Sequence, residues 1–363
     1  MLGDYSKKKW GKIISHHEII MNLPLEIERP FCYVLQYATI ISIMMTRVAV
    51  LRGGPSSEYD VSLKTGANVL RALAPNYKVK DILISKEGIW HMDGLPATPE
   101  RVARVVDVVF IALHGEYGED GQVQRILHQL KVPYTGSESW PSSVAMNKAL
   151  TKDHFRKHDI RTPHGMLVCN DIPAEELAAK IFNKISPPWF VKPNTGGSSV
   201  GASLCKNVPE LIEGLHESFK YSDTAMVEEC IKGREATCGV IDNFRDKKHY
   251  ALFPIEIIKP KAREFFDYTC KYDGTTQEIC PGNFTIKEKQ EMQSIALKVH
   301  KALGLRHYSR TDFIVTPRRI YTLEVNTLPG LTSESLFPKA MAAVGTNYAG
   351  FLEHLINLAL KKA

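Results

Sequence analysis

Apolar residues follow two rhythms along this chain. Arg47–Leu51 (RVAVL) and Val105–Leu113 are apolar at nearly every position, as in parallel strands of a sheet covered on both faces. Lys80–Ile84 reads as another strand. Leu63, Ala67, Leu70 and Leu73 recur three or four residues apart, which predicts a helix over Val61–Leu73. Gly53-Gly54-Pro55-Ser56-Ser57 separates the first strand from this helix, and Gly121–Leu130 reads as a further short helix. Strand, glycine loop, helix and strand make a βαβ unit, so the chain opens with a Rossmann-like half-domain. From about Ser142 the pattern changes. Helices are expected over Asn147–His158 and Ala174–Ile185, with strands at Met166–Val168 and Trp189–Pro193, the latter running into the loop Asn194–Ser199. A third unit starts near Ala225–Glu229 and ends in a helix over Tyr348–Leu360. No internal repeat or low-complexity tract interrupts the series.

The third unit carries the most specific pattern. Phe313–Val315 and Ile320–Val325 are β-branched or apolar runs, and Thr316-Pro317-Arg318-Arg319 between them is turn-like, which predicts a hairpin. The hairpin brings Asp312 opposite Glu324 and Asn326. The last two are two positions apart and share one strand face. Two carboxylates and an amide oxygen form a hard, oxygen-only donor set suited to Mg2+, which completes its shell with water and phosphate oxygens. Arg310 lies on the same face as Asp312, placed to stabilise developing oxyanion charge. The chain then turns through Pro329-Gly330, where backbone N–H groups can meet an anion.

Two further places suggest anion chemistry. Lys192 ends the apolar strand Trp189–Val191 and precedes Pro193 and a glycine–serine loop. A fixed cation followed by N–H groups and hydroxyls suits phosphate, although no Gly-Lys-Ser/Thr makes it a Walker A loop. In the first half-domain, GGPSSE is not G-x-G-x-x-G, and no acidic residue ends the next strand, so a dinucleotide site is not indicated.

Composition narrows the class. The 363 residues are 44% hydrophobic and 24% charged, ordinary for a globular chain of two or three domain-sized units. The net charge of +6 suits anionic small molecules. Basic residues form no stripe with interleaved aromatics, so nucleic acid is not indicated. Seven scattered cysteines without C-x2-C spacing give neither a zinc site nor a disulfide framework, and reduced cytosolic thiols are expected. The first 46 residues do not fit the rest: Phe31–Met45 is a mostly apolar run of 15, short of the roughly 20 a membrane helix needs, and no secretory cleavage site is evident. The expectation is an upstream start to the reading frame, ahead of Met44-Met45, with no stable membrane association.

Three blocks together resemble the D-alanine–D-alanine ligases of the ATP-grasp superfamily: LRGGPSSEYDVSLKTG at Leu51–Gly66, ALHGEYGEDGQVQ at Ala112–Gln124, and RTDFIVTPRRIYTLEVNTLPGLT at Arg310–Thr332. They occur in the family's order from Arg47 to the C-terminus. The resemblance implies an α/β, ATP-grasp fold with an N-terminal Rossmann-like half-domain (47–141), a small central α+β domain (142–224) and a C-terminal α+β domain (225–363), after an extension (1–46) outside the core. It implies ligation of two D-alanines through an acyl phosphate, with ATP as co-substrate, two Mg2+ or Mn2+ ions on Asp312, Glu324 and Asn326, a cytoplasmic location and a homodimer. Lys148 and Lys192 would contact ATP phosphates. Glu228, Glu229 and Ile231 resemble the linker along an adenine edge, and Glu235 the ribose-binding acid. Glu58 would hold the first substrate's ammonium, Ser198 would link Glu58 to Tyr272 in a hydrogen-bonded chain that holds the lid, and His114 would face a substrate carboxylate. Gly330, Ser335 and Leu336 would hold the second substrate's carboxylate. Lys271 and Tyr272 match a lid in the long segment 260–282. Tyr272 also argues against a D-alanine–D-lactate enzyme, since depsipeptide ligases tend to carry phenylalanine there.

Overall fold

A computed structural model describes residues 45–259, 276–332 and 334–361. Strand β1 (Arg47–Gly53) is the centre of the first sheet. It pairs in parallel with β2 (Lys78–Ile84) on one side and β5 (Val108–Ile111) on the other, while β3 (Trp90–Met92) and β4 (Leu95–Pro96) extend the β2 edge antiparallel. Val48–Leu51 and all of β5 are buried, as uniformly apolar parallel strands require. The β5 strand is shorter than Val105–Leu113 because Val105 is the C-cap of the short helix Pro99–Arg104, and Ala112 and Leu113 lie beyond the strand's end while staying buried. Helix α1 (Tyr59–Leu73) follows the glycine loop. Ser62 Oγ accepts from the Gly53 N–H and donates to the Ala112 carbonyl, both at 2.8 Å, tying loop, helix and strand end together.

The second sheet is antiparallel, in the order β6 (Gly165–Cys169), β9 (Thr224–Glu229), β7 (Trp189–Pro193), β8 (Ser203–Cys205). Trp189, Val191, Ala225 and Val227 face a core shared with the helices Ala174–Phe182 and Val208–Phe219. By alternation, Phe190, Lys192, Met226 and Glu228 occupy the opposite face, and this face meets the site.

The third sheet runs β13 (Gln277–Ile279), β12 (Ile255–Ile258), β10 (Arg234–Phe244), β14 (Tyr308–Val315), β15 (Ile320–Asn326), with β11 (Lys247–Ala251) also on β10. The long helix Ile286–Ala302 covers one face, packing Met292 and Ala296 on Ala236, Cys238 and Phe313. Thr285 starts that helix with a reciprocal capping box to Glu288, satisfying two otherwise orphan donors. The β14–β15 hairpin forms as its apolar runs suggest, but the register shifts between Asp312 and Phe313: Asp312 pairs with Glu324 and Phe313 with Thr322. Leu323 is therefore the extra residue of a bulge, a device that re-aims side chains beside functional sites.

The final helix, Tyr348–Leu360, lies outside the core beneath the long helix and joins the first sheet to the third, Phe351 meeting the Tyr308 ring of β14 and His354 the Phe244 ring of β10. Phe351, Leu352, Leu355 and Ile356 join the cluster built on β1, β2 and β5 and pack against α1. No helix among the described residues is long and apolar enough to cross a membrane, and the described cysteines are free thiols. The expected lid residues Lys271 and Tyr272, and the unusual segment 1–44, lie outside the described residues.

Candidate active site

Two adjoining cavities take in every described residue expected to carry chemistry. The larger, ≈640 Å³, is lined by Glu58, His114, Ser198, Asn326, Gly330 and Ser335, among others. The smaller, ≈200 Å³, is lined by Lys192, Glu228, Glu229, Ile231, Glu235 and Asp312. Lys148, Arg310, Glu324 and Leu336 belong to both, so a ligand in one touches the wall of the other.

The larger cavity begins at the N-terminus of α1. Glu58 occupies the N-cap position, yet its side chain makes no cap hydrogen bond. Its carboxylate instead accepts from Ser198 Oγ, which reaches over from the loop after β7. Ser198 and Ser199 both have positive φ, 50° and 58°, an uncommon conformation for non-glycine residues. Gly115 lines the same cavity with φ +71°, and a Cβ there would lie 3.0 Å from Glu58 Oε2, so only glycine leaves that carboxylate in place.

His114 is buried beneath Glu58. Its Nε2 is 2.8 Å from Thr65 Oγ1 and its Nδ1 donates to the Leu328 carbonyl at 3.1 Å, with Glu119 Oε1 at 3.7 Å. Burial pulls the imidazole pKa down, but Glu119 and Glu58, with the Leu328 carbonyl, outweigh it and leave it raised. A raised folded-state pKa contributes stability that is complete below the unfolded value, about 6.5, and is lost as pH rises through the folded value. His114→Gln is therefore expected to flatten the decline of the urea midpoint above neutral pH. An unchanged slope would show that His114 does not titrate in that range.

The smaller cavity rests on buried charges. Asn147 caps the helix Lys148–Lys157 by accepting from the Leu150 N–H at 3.0 Å, which fixes Lys148 in its first turn. Lys148 Nζ donates to the Gly196 carbonyl at 2.8 Å. One turn on, Lys152 is buried and lies 2.7 Å from Glu228 Oε1, while Lys192 lies 3.2 Å from Glu228 Oε2. Burial pushes the Glu228 pKa up; the Lys192 and Lys152 ammoniums outweigh it and hold the carboxyl below its usual range. Glu235 pairs with Lys259. At the proposed adenine edge, the N–H groups of Glu229 and Cys230 are already committed to the carbonyls of His164 and Pro188, at 2.9 and 3.0 Å, so those two are not free for a base.

On the shared wall, Arg310 grips Asp312 with two bonds of 2.9 Å. Burial lowers the guanidinium's pKa, but Asp312 and Glu324 more than reverse this, so the positive charge is permanent. Thr237 Oγ1 also donates to Asp312 Oδ1, at 2.5 Å. Asn326 Oδ1 accepts from the Leu328 N–H at 2.9 Å, which turns the chain towards Gly330. There a Cβ would lie 2.9 Å from Ser335 Oγ, and Ser335 Oγ in turn accepts from the Thr332 N–H at 3.0 Å. Ser335 stands at the N-cap of the helix Leu336–Ala343, where partial positive charge favours a carboxylate. The oxygen-only set of Asp312, Glu324 and Asn326 on facing positions suits a hard divalent cation.

Two contributors escape a reading from sequence. Lys152 carries a weak signal, a second lysine one turn after Lys148. Glu119 sits inside the HGEYGEDG block but differs in no visible way from its acidic neighbours, and only the fold brings its carboxylate to the Gly115 N–H at 2.9 Å.

Residues 161–357 match the D-ala D-ala ligase C-terminus family, and residues 47–101 and 94–137 match the D-ala D-ala ligase N-terminus family. The D-alanine–D-alanine ligase of Maridesulfovibrio salexigens is 38% identical over 328 residues, covering 87% of this chain and 99% of that protein. That of Pelotomaculum thermopropionicum is 38% identical over 324 residues, covering 88% and 98%. Among solved structures, the VanG D-Ala:D-Ser ligase of Enterococcus faecalis has a TM-score of 0.77 at 27% identity, over 87% of this chain and all of that one. The D-alanine–D-alanine ligase of Coxiella burnetii has a TM-score of 0.74 at 27% identity, over 87% and 94%. The fold and its two-cavity cleft define an ATP-grasp enzyme, an ATP-dependent ligase. The chain belongs to the D-alanine–D-alanine ligase family, which makes D-alanyl-D-alanine for peptidoglycan synthesis.

Proposed function

We propose that this chain holds the first D-alanine in the larger cavity, ATP in the smaller one, and transfers acyl and phosphoryl groups across their shared wall. The observation that carries this reading is that Lys148, Arg310 and Glu324 line both cavities. Glu58, held by the Ser198 hydroxyl, binds the ammonium of the first D-alanine. Its carboxylate oxygen attacks the γ-phosphorus of ATP, and ADP leaves. The amine of the second D-alanine then attacks the acyl carbon, a C–N bond forms, the C–O bond to phosphate breaks, and the amine gives up a proton. Lys148 and Lys192 bind phosphate oxygens, and Arg310 stabilises the oxyanion of the second step. Ser335 and Leu336, with Gly330, hold the carboxylate of the second D-alanine. Glu229, Ile231 and Glu235 flank the nucleoside. Lys271 and Tyr272 are proposed to close over both cavities.

Asp312, Glu324 and Asn326 would hold two Mg2+ or Mn2+ ions, which when bound supply positive charge to the phosphate oxygens. We read the three sheets as the cores of three domains, with divisions near 141 and 224; the helix Ser139–Met146 bridges the first division. A homodimer and a cytoplasmic location follow from the family resemblance.

The test is phosphate release from ATP and Mg2+ with D-alanine, set against L-alanine, D-lactate and D-serine as second substrates. D-serine is included because the Enterococcus relative is a D-Ala:D-Ser ligase. Turnover with D-alanine alone well above the mixed reactions supports the reading. Faster mixed product with D-serine or D-lactate would overturn the assignment of the second substrate.

A further inference from the structure

At the far end of β10 from the cleft, three side chains converge whose chemistry the ligation does not use. Asp242 stands seven positions beyond Glu235 on the same strand, roughly 23 Å away at strand rise. Its Oδ1 lies 2.7 Å from His249 Nδ1 on β11 and 3.1 Å from His300 Nε2 on the long helix Ile286–Ala302. All three donor atoms lie within 4.8 Å of one another.

Two features distinguish this cluster from an ordinary buried hydrogen-bond network. First, His300 is fully buried, and its Nε2 makes no hydrogen bond of acceptable geometry although it is aimed at Asp242. A buried nitrogen 3.1 Å from a carboxylate oxygen but off the line of a good hydrogen bond is under-satisfied, and such groups call for an explanation such as a missing ion. Second, the ligand atoms have outer partners that orient them. His300 Nδ1 is 2.8 Å from Ser309 Oγ, and Asp242 Oδ2 accepts from the His307 N–H at 2.7 Å. Metal-ligating histidines and carboxylates are commonly fixed through their remaining atoms in this way.

We propose that Asp242, His249 and His300 form a site for one divalent cation of the zinc class, separate from the catalytic cleft. Two imidazole nitrogens and one carboxylate oxygen suit Zn2+ better than Mg2+, which prefers oxygen throughout. Bonds of about 2.0–2.2 Å at a tetrahedral angle separate ligand atoms by about 3.3–3.6 Å; the His300–Asp242 pair stands at 3.1 Å, and the His249–Asp242 pair at 2.7 Å must open to admit the ion. The ion takes the place of the proton between His249 Nδ1 and Asp242 Oδ1; a neutral imidazole then carries its one proton on Nε2, and a proton leaves for solvent only where the ring starts as an imidazolium. The fourth position opens on a cavity of ≈820 Å³ that Lys247, Lys248, Lys301 and Arg306 also line. These cations weaken binding of a free metal ion, and they favour an anionic fourth ligand once it is in place. An ion held by β10, β11 and the helix would clamp three elements of the third sheet together.

The test uses the full chain with Mg2+ in excess, to keep Zn2+ from the cleft, and titrates Zn2+ by calorimetry and Co2+ by visible absorption. His249 is chosen for substitution because it sits at the cavity wall, whereas His300 is in the core. The expected result is one Zn2+ per chain, a tetrahedral Co2+ spectrum without a thiolate charge-transfer band, and a rise in melting temperature on binding. His249→Ala is expected to weaken Zn2+ binding at least about 10-fold and to abolish the rise. His154→Ala is the control, because His154 and His158 stack one turn apart elsewhere on the surface, and it is expected to change neither. No stoichiometric Zn2+ binding, equal affinity in His249→Ala, loss of binding in His154→Ala, or a thiolate band would each overturn the proposal.

Discussion

Glu324→Gln is expected to lower dipeptide synthesis by roughly a thousandfold without unfolding the chain. Glu324 faces Asp312 across the hairpin and lines both cavities, so it can reach any cation placed between substrate and nucleotide. An amide preserves its shape and removes its charge. Metal ions supply several kcal/mol of charge stabilisation in phosphoryl and acyl transfer, and about 4 kcal/mol corresponds to three decades of rate. Steady-state turnover at saturating Mg2+, with circular dichroism as the fold check, makes the measurement. Near-normal turnover by a folded variant would sink the assignment of Glu324 to the metal.

Glu228→Gln is expected to destabilise the chain by about 3–5 kcal/mol, the usual cost of breaking a buried ion pair from one side. The variant leaves Lys152 and Lys192 buried with no carboxylate between them. The urea midpoint is the readout, and a value equal to wild type would show that the two lysines do not depend on Glu228. The double variant Glu228→Gln/Lys152→Met is expected to lose less than the two single losses added together, because one orphaned charge has gone. The sign with pH follows from the lowered Glu228 pKa. Its contribution is present above the unfolded carboxyl value, about 4.3, and is lost as pH falls through the folded value. The gap between wild type and variant should accordingly narrow in acid.

The site's sequence signature and its geometry overlap where local rules suffice. The Arg310–Asn326 hairpin depends on two apolar runs and one turn, and period-2 alternation alone puts Arg310, Asp312, Glu324 and Asn326 on one side. Alternation cannot anticipate the bulge at Leu323, because an extra residue costs nothing in the pattern of apolar and polar letters. The result is that Leu323 and Glu324, adjacent in sequence, both line the smaller cavity. Helix ends were blurred for a similar reason. Ala174–Ile185 reads as continuous, but the helix stops at Phe182 and Ile185 is buried from the following turn. Lys152, with only a weak signal, and Glu119, with none, are missed for a different reason. Their roles come from a partner 76 residues away, in the case of Lys152 and Glu228, or from one particular loop conformation, and local sequence encodes neither partnership.

The last helix has a consequence for how the chain comes to be folded. Its residues Phe351–Ile356 finish the hydrophobic cluster begun by Val48–Leu51, some 300 positions earlier. A ribosome delivers the first sheet long before the helix that completes it. Through most of synthesis, then, β1, β2 and α1 must wait with an apolar flank uncovered, the condition in which nascent chains attract chaperones or one another. A stop codon removing only the final fifteen residues would thus injure the beginning of the protein as well as its end.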